Sequence, residues 1–242
     1  MASGYPIPWR VIASLIGAIL LSRKRSFRMD AMSAVAALRP PLEVKGLARI
    51  PGPCVITINH YARPGFQAWW LALAVSAVLP VEVHWVVTAE WRYADRWRSA
   101  TITPVSRWIL RHIAAVYGFT RMPPMPPRPG EEMQRALAVR EILRYARQVE
   151  CPVIGLAPEG GDFAAPGRVA ELPAGVGRLL LHLSGSGLVV LPVGAYEARD
   201  RFCLNFGLPY RLEPPQMSSA ETMDAWARQL VRSKIEELLE AP

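Results

Sequence analysis

Cysteine is scarce in this chain: Cys54, Cys151 and Cys203 are odd in number, far apart and without CxxC spacing. That excludes a disulfide framework and a thiolate zinc site, and it fits a reducing compartment. Long hydrophobic runs are lacking too. Val11 to Leu21 and Phe66 to Leu79 are conspicuously apolar, yet each falls short of the ~20 residues that cross a bilayer. Acidic residues are outnumbered, 20 against 28 Lys and Arg, so the formal charge is +8 and anionic partners are favoured. No helix-turn-helix, finger or aromatic RNA-binding signature accompanies that charge, so nucleic acid is not expected among the partners. Internal repeats and domain-scale linkers are absent. Ser184-Gly185-Ser186-Gly187 lacks the Gly-x-Ser-x-Gly spacing of a hydrolase nucleophile.

What is present points to a compact α/β chain. A length of 242 residues with 51% apolar composition supports one domain with a full core. The apolar stretch Val11 to Leu21 follows Arg10 and precedes Arg23, Lys24, Arg25 and Arg28, with no small-residue cleavage site after it. It reads as an amphipathic helical segment, residues 1–40, lying on a membrane surface with its cations among anionic headgroups. The alternative is a helix docked on the protein's own core. Pro40 and Pro41 close the segment, since proline cannot continue a helix and biases its predecessor toward extended backbone. Residues 41–242 form the main domain, expected to be a mostly parallel central sheet flanked by helices.

The expected elements alternate along that domain. Strands are predicted at Leu42 to Leu47, Val55 to Ile58, Val81 to Thr88, Val116 to Phe119, through Ala157, and at Leu188 to Val193, with an edge strand at Phe202 to Phe206. Helices are predicted at Phe66 to Leu79, Ser106 to Ala115, Glu131 to Gln148 and Gly175 to Leu183. A last helix opens on a capping box of Ser218 with Glu221. Met122 to Gly130 holds five prolines and reads as an irregular loop at the edge of a site.

Two of the strands end in chemistry. Cys54-Val55-Ile56-Thr57-Ile58 runs into Asn59-His60, and Pro152-Val153-Ile154-Gly155-Leu156-Ala157 runs into Pro158-Glu159-Gly160-Gly161. A candidate base and a glycine-flanked carboxylate would then meet at the carboxyl edge of a parallel sheet, where such sheets build their sites. Histidine suits proton transfer because its ordinary pKa lies near ambient pH. His84, His112 and His182 sit in apolar or helical surroundings and read as structural.

These segments resemble the glycerolphosphate and lysophosphatidate acyltransferases of phospholipid synthesis. That family's first motif is Asn-His, four residues, then Asp; here Asn59-His60-Tyr61-Ala62-Arg63-Pro64-Gly65 has glycine in the Asp position. Ala115-Val116-Tyr117-Gly118-Phe119-Thr120-Arg121 is similar to the second motif, with Ala115 for its opening glycine and the closing arginine kept as Arg121. Ala157-Pro158-Glu159-Gly160-Gly161-Asp162 is similar to the third, with Asp162 where the family has Arg or Ser. Leu172-Pro173-Ala174-Gly175 and Val189-Val190-Leu191-Pro192-Val193 look like the later steps.

The resemblance implies transfer of a fatty acyl group from an acyl-thioester, coenzyme A or acyl carrier protein, to the hydroxyl of a lysophospholipid or other lipid-like acceptor. It implies His60 as catalytic base and no metal or separate cofactor. Asn59, Arg63, Arg121, Glu159, Gly160 and Gly161 would bind substrate, the arginines through paired donors to an anion. Gly65 has no group to orient an imidazole, and Glu90 is the candidate replacement. A non-catalytic lipid- or acyl-carrier-binding protein on the same fold is the alternative, and a peripheral scaffold without a pocket is a third. Each of these would work peripherally on the cytoplasmic face of a membrane.

Overall fold

The computed structural model of the chain describes residues 5–46, 52–61, 63, 65–161, 168–216 and 219–239. Among these, the strands are β1 (Leu42–Lys45), β2 (Cys54–Ile58), β3 (His84–Thr88), β4 (Thr120–Met122), β5 (Val153–Leu156), β6 (Val189–Ala198) and β7 (Arg201–Phe206). They form one sheet in the spatial order β1-β7-β6-β2-β5-β3-β4. From β6 to β4 all neighbours are parallel; β7 runs antiparallel to β6, and β1 lies parallel to β7. The helices are α1 (Trp9–Leu20), α2 (Phe27–Val35), α3 (Trp69–Val78), α4 (Arg96–Tyr117), α5 (Glu132–Gln148), α6 (Val176–Gly185) and α7 (Ala220–Glu236). The chain is thus a single-sheet α/β protein with a mostly parallel sheet.

The middle of the sheet follows from its residues. β2 is buried along its whole length, and β-branched Val55, Ile56, Thr57 and Ile58 suit a strand covered on both faces. Cys54, Ile56 and Ile58 enter an apolar layer shared with Ala31 and Ala34 of α2 and with Trp70 and Ala74 of α3. Val55 enters the opposite layer, with Ile142 of α5, Leu180 of α6 and Val231 of α7. Each such fully buried aliphatic side chain contributes about 1.5–3 kcal/mol relative to exposure. Two filled layers hold β2 and β5 rigid, and their carboxyl ends emerge side by side.

The amino-terminal segment divides where one continuous segment was predicted. Ser26 accepts from the Met29 N–H at 3.1 Å and caps α2. Asp30, in the first turn, accepts from Arg25 Nε at 2.8 Å and from the Tyr117 hydroxyl at 2.7 Å. Ala31, Ala34 and Leu38 are buried in the main core, so α2 packs as part of the domain and the prolines at 40–41 mark no packing boundary. α1 is two-sided: Ala18 is buried and Val11 packs on the core, while Trp9, Ile16 and Leu20 are exposed. Among the described residues no helix is long and apolar enough to cross a membrane.

Five other expectations are corrected. The helix predicted from Ser106 begins ten residues earlier, at Arg96, because Asp95 caps it by accepting from the Arg98 N–H at 2.8 Å. Pro104 is tolerated inside α4 because both it and Ala100, whose carbonyl loses its partner, face solvent. Val116 and Tyr117 are helical where a strand was predicted, since Gly118 at φ 74° ends the helix only after them. β6 continues to Ala198, past the predicted Val193, because Arg199 and Asp200 at φ 50° and 58° make a two-residue hairpin turn into β7. β7 is therefore inside the sheet, and β1 takes the edge. The last helix is capped by Ser219 with Thr222, one residue beyond the predicted pair, because these two side chains satisfy each other's backbone; Ser218 lies outside the described residues.

Gly155 in β5 is required by a neighbour. A Cβ there would lie 2.6–2.8 Å from the Trp85 ring of β3, whose indole N–H is fixed on Ser76 Oγ at 2.9 Å. Gly155→Ala is expected to lower unfolding free energy by about 1–3 kcal/mol through overpacking, read as a lower denaturant midpoint at unchanged slope.

Candidate functional site

Parallel pairing of β2 with β5 sets Thr57 opposite Leu156. Continuing that register brings His60 level with Glu159. The backbone N–H of His60 donates to Glu159 Oε1 at 2.6 Å, and the Ala170 N–H donates to Oε2 at 2.7 Å. Glu159 is 1% exposed. Burial raises its pKa above the ordinary glutamate value, although the His60 and Ala170 amides and Arg232 pull the other way. Both carboxylate oxygens thus hold backbone, and Glu159 acts as a positioning residue for the loop that carries His60. His60 itself is half-buried at the end of β2.

Asn59 is also committed to the fold. Its Nδ2 donates to the Ala195 carbonyl at 2.9 Å and its Oδ1 accepts from the Ala195 N–H at 2.6 Å. The amide continues the β2–β6 ladder beyond the last strand residue, mimicking a peptide unit. Asn59, expected to bind substrate, is 3% exposed and pins the other side of the His60 turn. Between them, Asn59 and Glu159 tie His60 to both neighbouring strands.

Arg63 meets a residue that sequence reasoning missed. Its Nε donates to Glu197 Oε1 at 2.8 Å, and its guanidinium lies 5.4 Å from the Tyr5 ring centroid. The Tyr5 hydroxyl donates to the same Glu197 oxygen. Burial, then the bond to Glu197, holds that phenol protonated well above its ordinary range. Tyr5 packs edge-on to Phe66 and Phe202. Glu197 lies four residues past Val193 on β6, and its signal would have been a longer strand closed by the Arg199-Asp200 turn. No local pattern marks Tyr5.

Gly160 sits at φ +73° in a turn closed by its own N–H to the Ala157 carbonyl at 3.1 Å. A Cβ on it would meet Met125 Cγ at 2.8 Å, so the close approach that only glycine permits is made here by the proline-rich loop. Arg92 donates to the Pro124 and Pro126 carbonyls at 3.2 and 2.8 Å, and Arg135 to Pro124 at 2.6 Å. The loop predicted to border a site does border the Glu159 turn. Glu90 is paired with Arg92 at 3.1 Å and Arg107 at 2.8 Å. Burial alone would raise its pKa, but those two arginines bring it below the ordinary value. Its carboxylate anchors the same loop through Arg92.

Arg121 is separate from this cluster. It is half-buried on β4, opposite Val87 of β3, three strands across from β2, roughly 14 Å at the usual strand spacing. Its side chain makes no hydrogen bond or ion pair among the described residues. Gly161 follows the turn and is half-buried; Asp162 lies outside the described residues. Gly65 is at φ +83°, and a Cβ added to it would meet nothing within 4 Å among the described residues. Comparison of the sequence with protein-family models and with curated proteins yields no match.

His84 shows what a structural histidine looks like in this fold. It is buried, stacked on Tyr145 with centroids 3.9 Å apart, and its Nε2 lies 2.9 Å from Thr120 Oγ1. Burial lowers its pKa from 6.5 to about 4. Between those values the unfolded chain binds the proton that the folded chain refuses, so stability falls as pH drops from 6.5 towards 4. Acid titration of unfolding is expected to show a loss of up to about 3 kcal/mol from this group, absent in His84→Phe. Asn59→Ala should cost about 1–3 kcal/mol by orphaning the Ala195 amide and carbonyl, measured by denaturant unfolding.

Proposed function

We propose that the chain transfers a fatty acyl group from an acyl-thioester to the hydroxyl of a lysophospholipid or similar lipid-like acceptor, on an acyltransferase-like fold. The observation that carries this reading is the bond from the His60 amide to Glu159, which unites the two sequence segments most similar to that family at one sheet edge. His60 is the base. Its imidazole takes the acceptor's hydroxyl proton as the oxygen attacks the thioester carbonyl carbon; the new C–O bond forms, the C–S bond breaks, and the thiolate recovers the proton. A positioned base of this kind supplies roughly 10²–10⁴-fold in rate. Positioning comes from Asn59 and Glu159, which fix the backbone on either side of the imidazole. Arg63, held beside the site by Glu197, supplies the cation for an anionic acceptor group.

The exposed apolar residues of α1 and the net positive charge support a peripheral position on the cytoplasmic face of an anionic membrane. A second reading, a lipid- or acyl-carrier-binding protein without turnover, is favoured by Gly65, which leaves the family's orienting position without a carboxylate.

His60→Ala separates the two. Acyl transfer is expected to fall by about 10²–10⁴-fold, while binding of the acyl-thioester and the unfolding midpoint stay close to wild type. A folded wild-type protein that binds acyl-thioesters but transfers nothing across a broad acceptor panel would establish the second reading instead.

A further inference from the structure

α4 carries an apolar stripe that the core does not use. Trp97 is 70% exposed, Val105 55% and Trp108 57%, and Thr101 lies between them at helical spacing. Positions 97, 101, 105 and 108 repeat at i, i+4, i+8 and i+11, one face of a 3.6-residue helix. Tryptophan is among the more buried residue types, so a row of this kind calls for an occupant. The Thr101 hydroxyl is satisfied by the Trp97 carbonyl at 2.8 Å, so covering the stripe with apolar material strands no donor there.

Charge identifies the occupant. No acidic residue occurs from Arg96 to Gly130. Of the α4 arginines, Arg98 pairs with Asp95 and Arg107 with Glu90, whereas Arg96 and Arg111 make no ion pair among the described residues. Tryptophans flanked by uncompensated arginines on a convex helix match the headgroup zone of an anionic bilayer, which takes up aromatic rings without needing a complementary groove. The neighbouring helix α1 also exposes apolar side chains, Trp9, Ile16 and Leu20. α1 lies against α4, Lys24 Nζ donates to the Ala115 carbonyl at 2.5 Å, and the Arg25 N–H donates to the Val116 carbonyl at 3.2 Å. The basic linker after α1 is thereby fastened to the last turns of α4.

We propose that α4 is a second membrane-docking element, with Trp97, Val105 and Trp108 inserted at the headgroup level of an anionic lipid surface and Arg96 and Arg111 among the phosphates. This rests on the peripheral-membrane reading given above and assigns it to a helix outside the amino-terminal segment.

Flotation of the full chain with phosphatidylcholine vesicles, with and without phosphatidylglycerol, tests it. The wild type is expected to float with the anionic vesicles. Trp97→Ser/Trp108→Ser should weaken that partition by about tenfold or more, with circular dichroism and the unfolding midpoint unchanged because both side chains face solvent. Arg96→Gln/Arg111→Gln should weaken binding to anionic vesicles and reduce its sensitivity to salt. Equal partition of the tryptophan variant and the wild type overturns the proposal, as does a wild type that floats with neither vesicle. Trp97- and Trp108-dependent capture by acyl carrier protein without vesicle binding would assign the face to an acidic protein and overturn it too. Transfer to a water-soluble short-chain acceptor without vesicles is measured in parallel. Turnover without flotation rejects the docking surface and leaves the His60 reading standing; flotation without turnover on this or any acceptor of the broad panel leaves the docking surface standing and rejects the His60 reading.

Discussion

The buried carboxylate of Glu159 is the constraint on which this site depends. Its two oxygens accept from the His60 and Ala170 amides, so one side chain joins the end of β2, the turn after β5 and the segment leading to α6. Desolvating a carboxylate is unfavourable, and the raised pKa records that penalty. Two backbone donors offset it because each would otherwise be a buried, unsatisfied amide. The penalty is confined to one residue, while the gain is a histidine whose backbone has little freedom to move.

The same construction recurs around the sheet's carboxyl edge. Asn59 replaces a peptide unit between β2 and β6. Arg92 and Arg135 hold the proline-rich loop by its carbonyls, and Glu90 and Glu131 hold the arginines. Proline removes the backbone donors that would let such a loop secure itself, so arginine donors from neighbouring elements complete its hydrogen bonding. Met125 then rests on Gly160, where a Cβ would push its Cγ aside and strain the backbone at positive φ. Loop and turn therefore constrain each other, the loop through its arginine-bonded carbonyls and the turn through Gly160.

Much of the fold was legible in the residues. The β-branched, fully buried run of β2, the apolar run of β5, the periodic helix α5 and the proline loop appear close to where composition and spacing put them. The misses have physical causes. Pro104 hid the first half of α4, since a proline on a solvent face leaves no sequence sign that water can take up the lost hydrogen bond. β6 outran its apolar core because Arg199-Asp200, a two-residue turn with both residues at positive φ, lacks the glycine that usually marks such a hairpin. With β7 folded back inside the sheet, β1 became the edge.

The candidate site divides along the same line. From sequence alone come two strands that end in Asn59-His60 and in Pro158-Glu159-Gly160, because local residue choice dictates where an extended run stops and a turn begins. Which strands become neighbours is a matter of packing two apolar layers. Only that packing decided that Glu159 would hold the His60 amide across 99 residues, that Asn59 would be spent on Ala195 across 136, and that Arg63 would meet Glu197 across 134. Contacts so distant along the chain leave no local periodicity, and a polar side chain reads the same in sequence whether it faces a ligand or a neighbouring backbone.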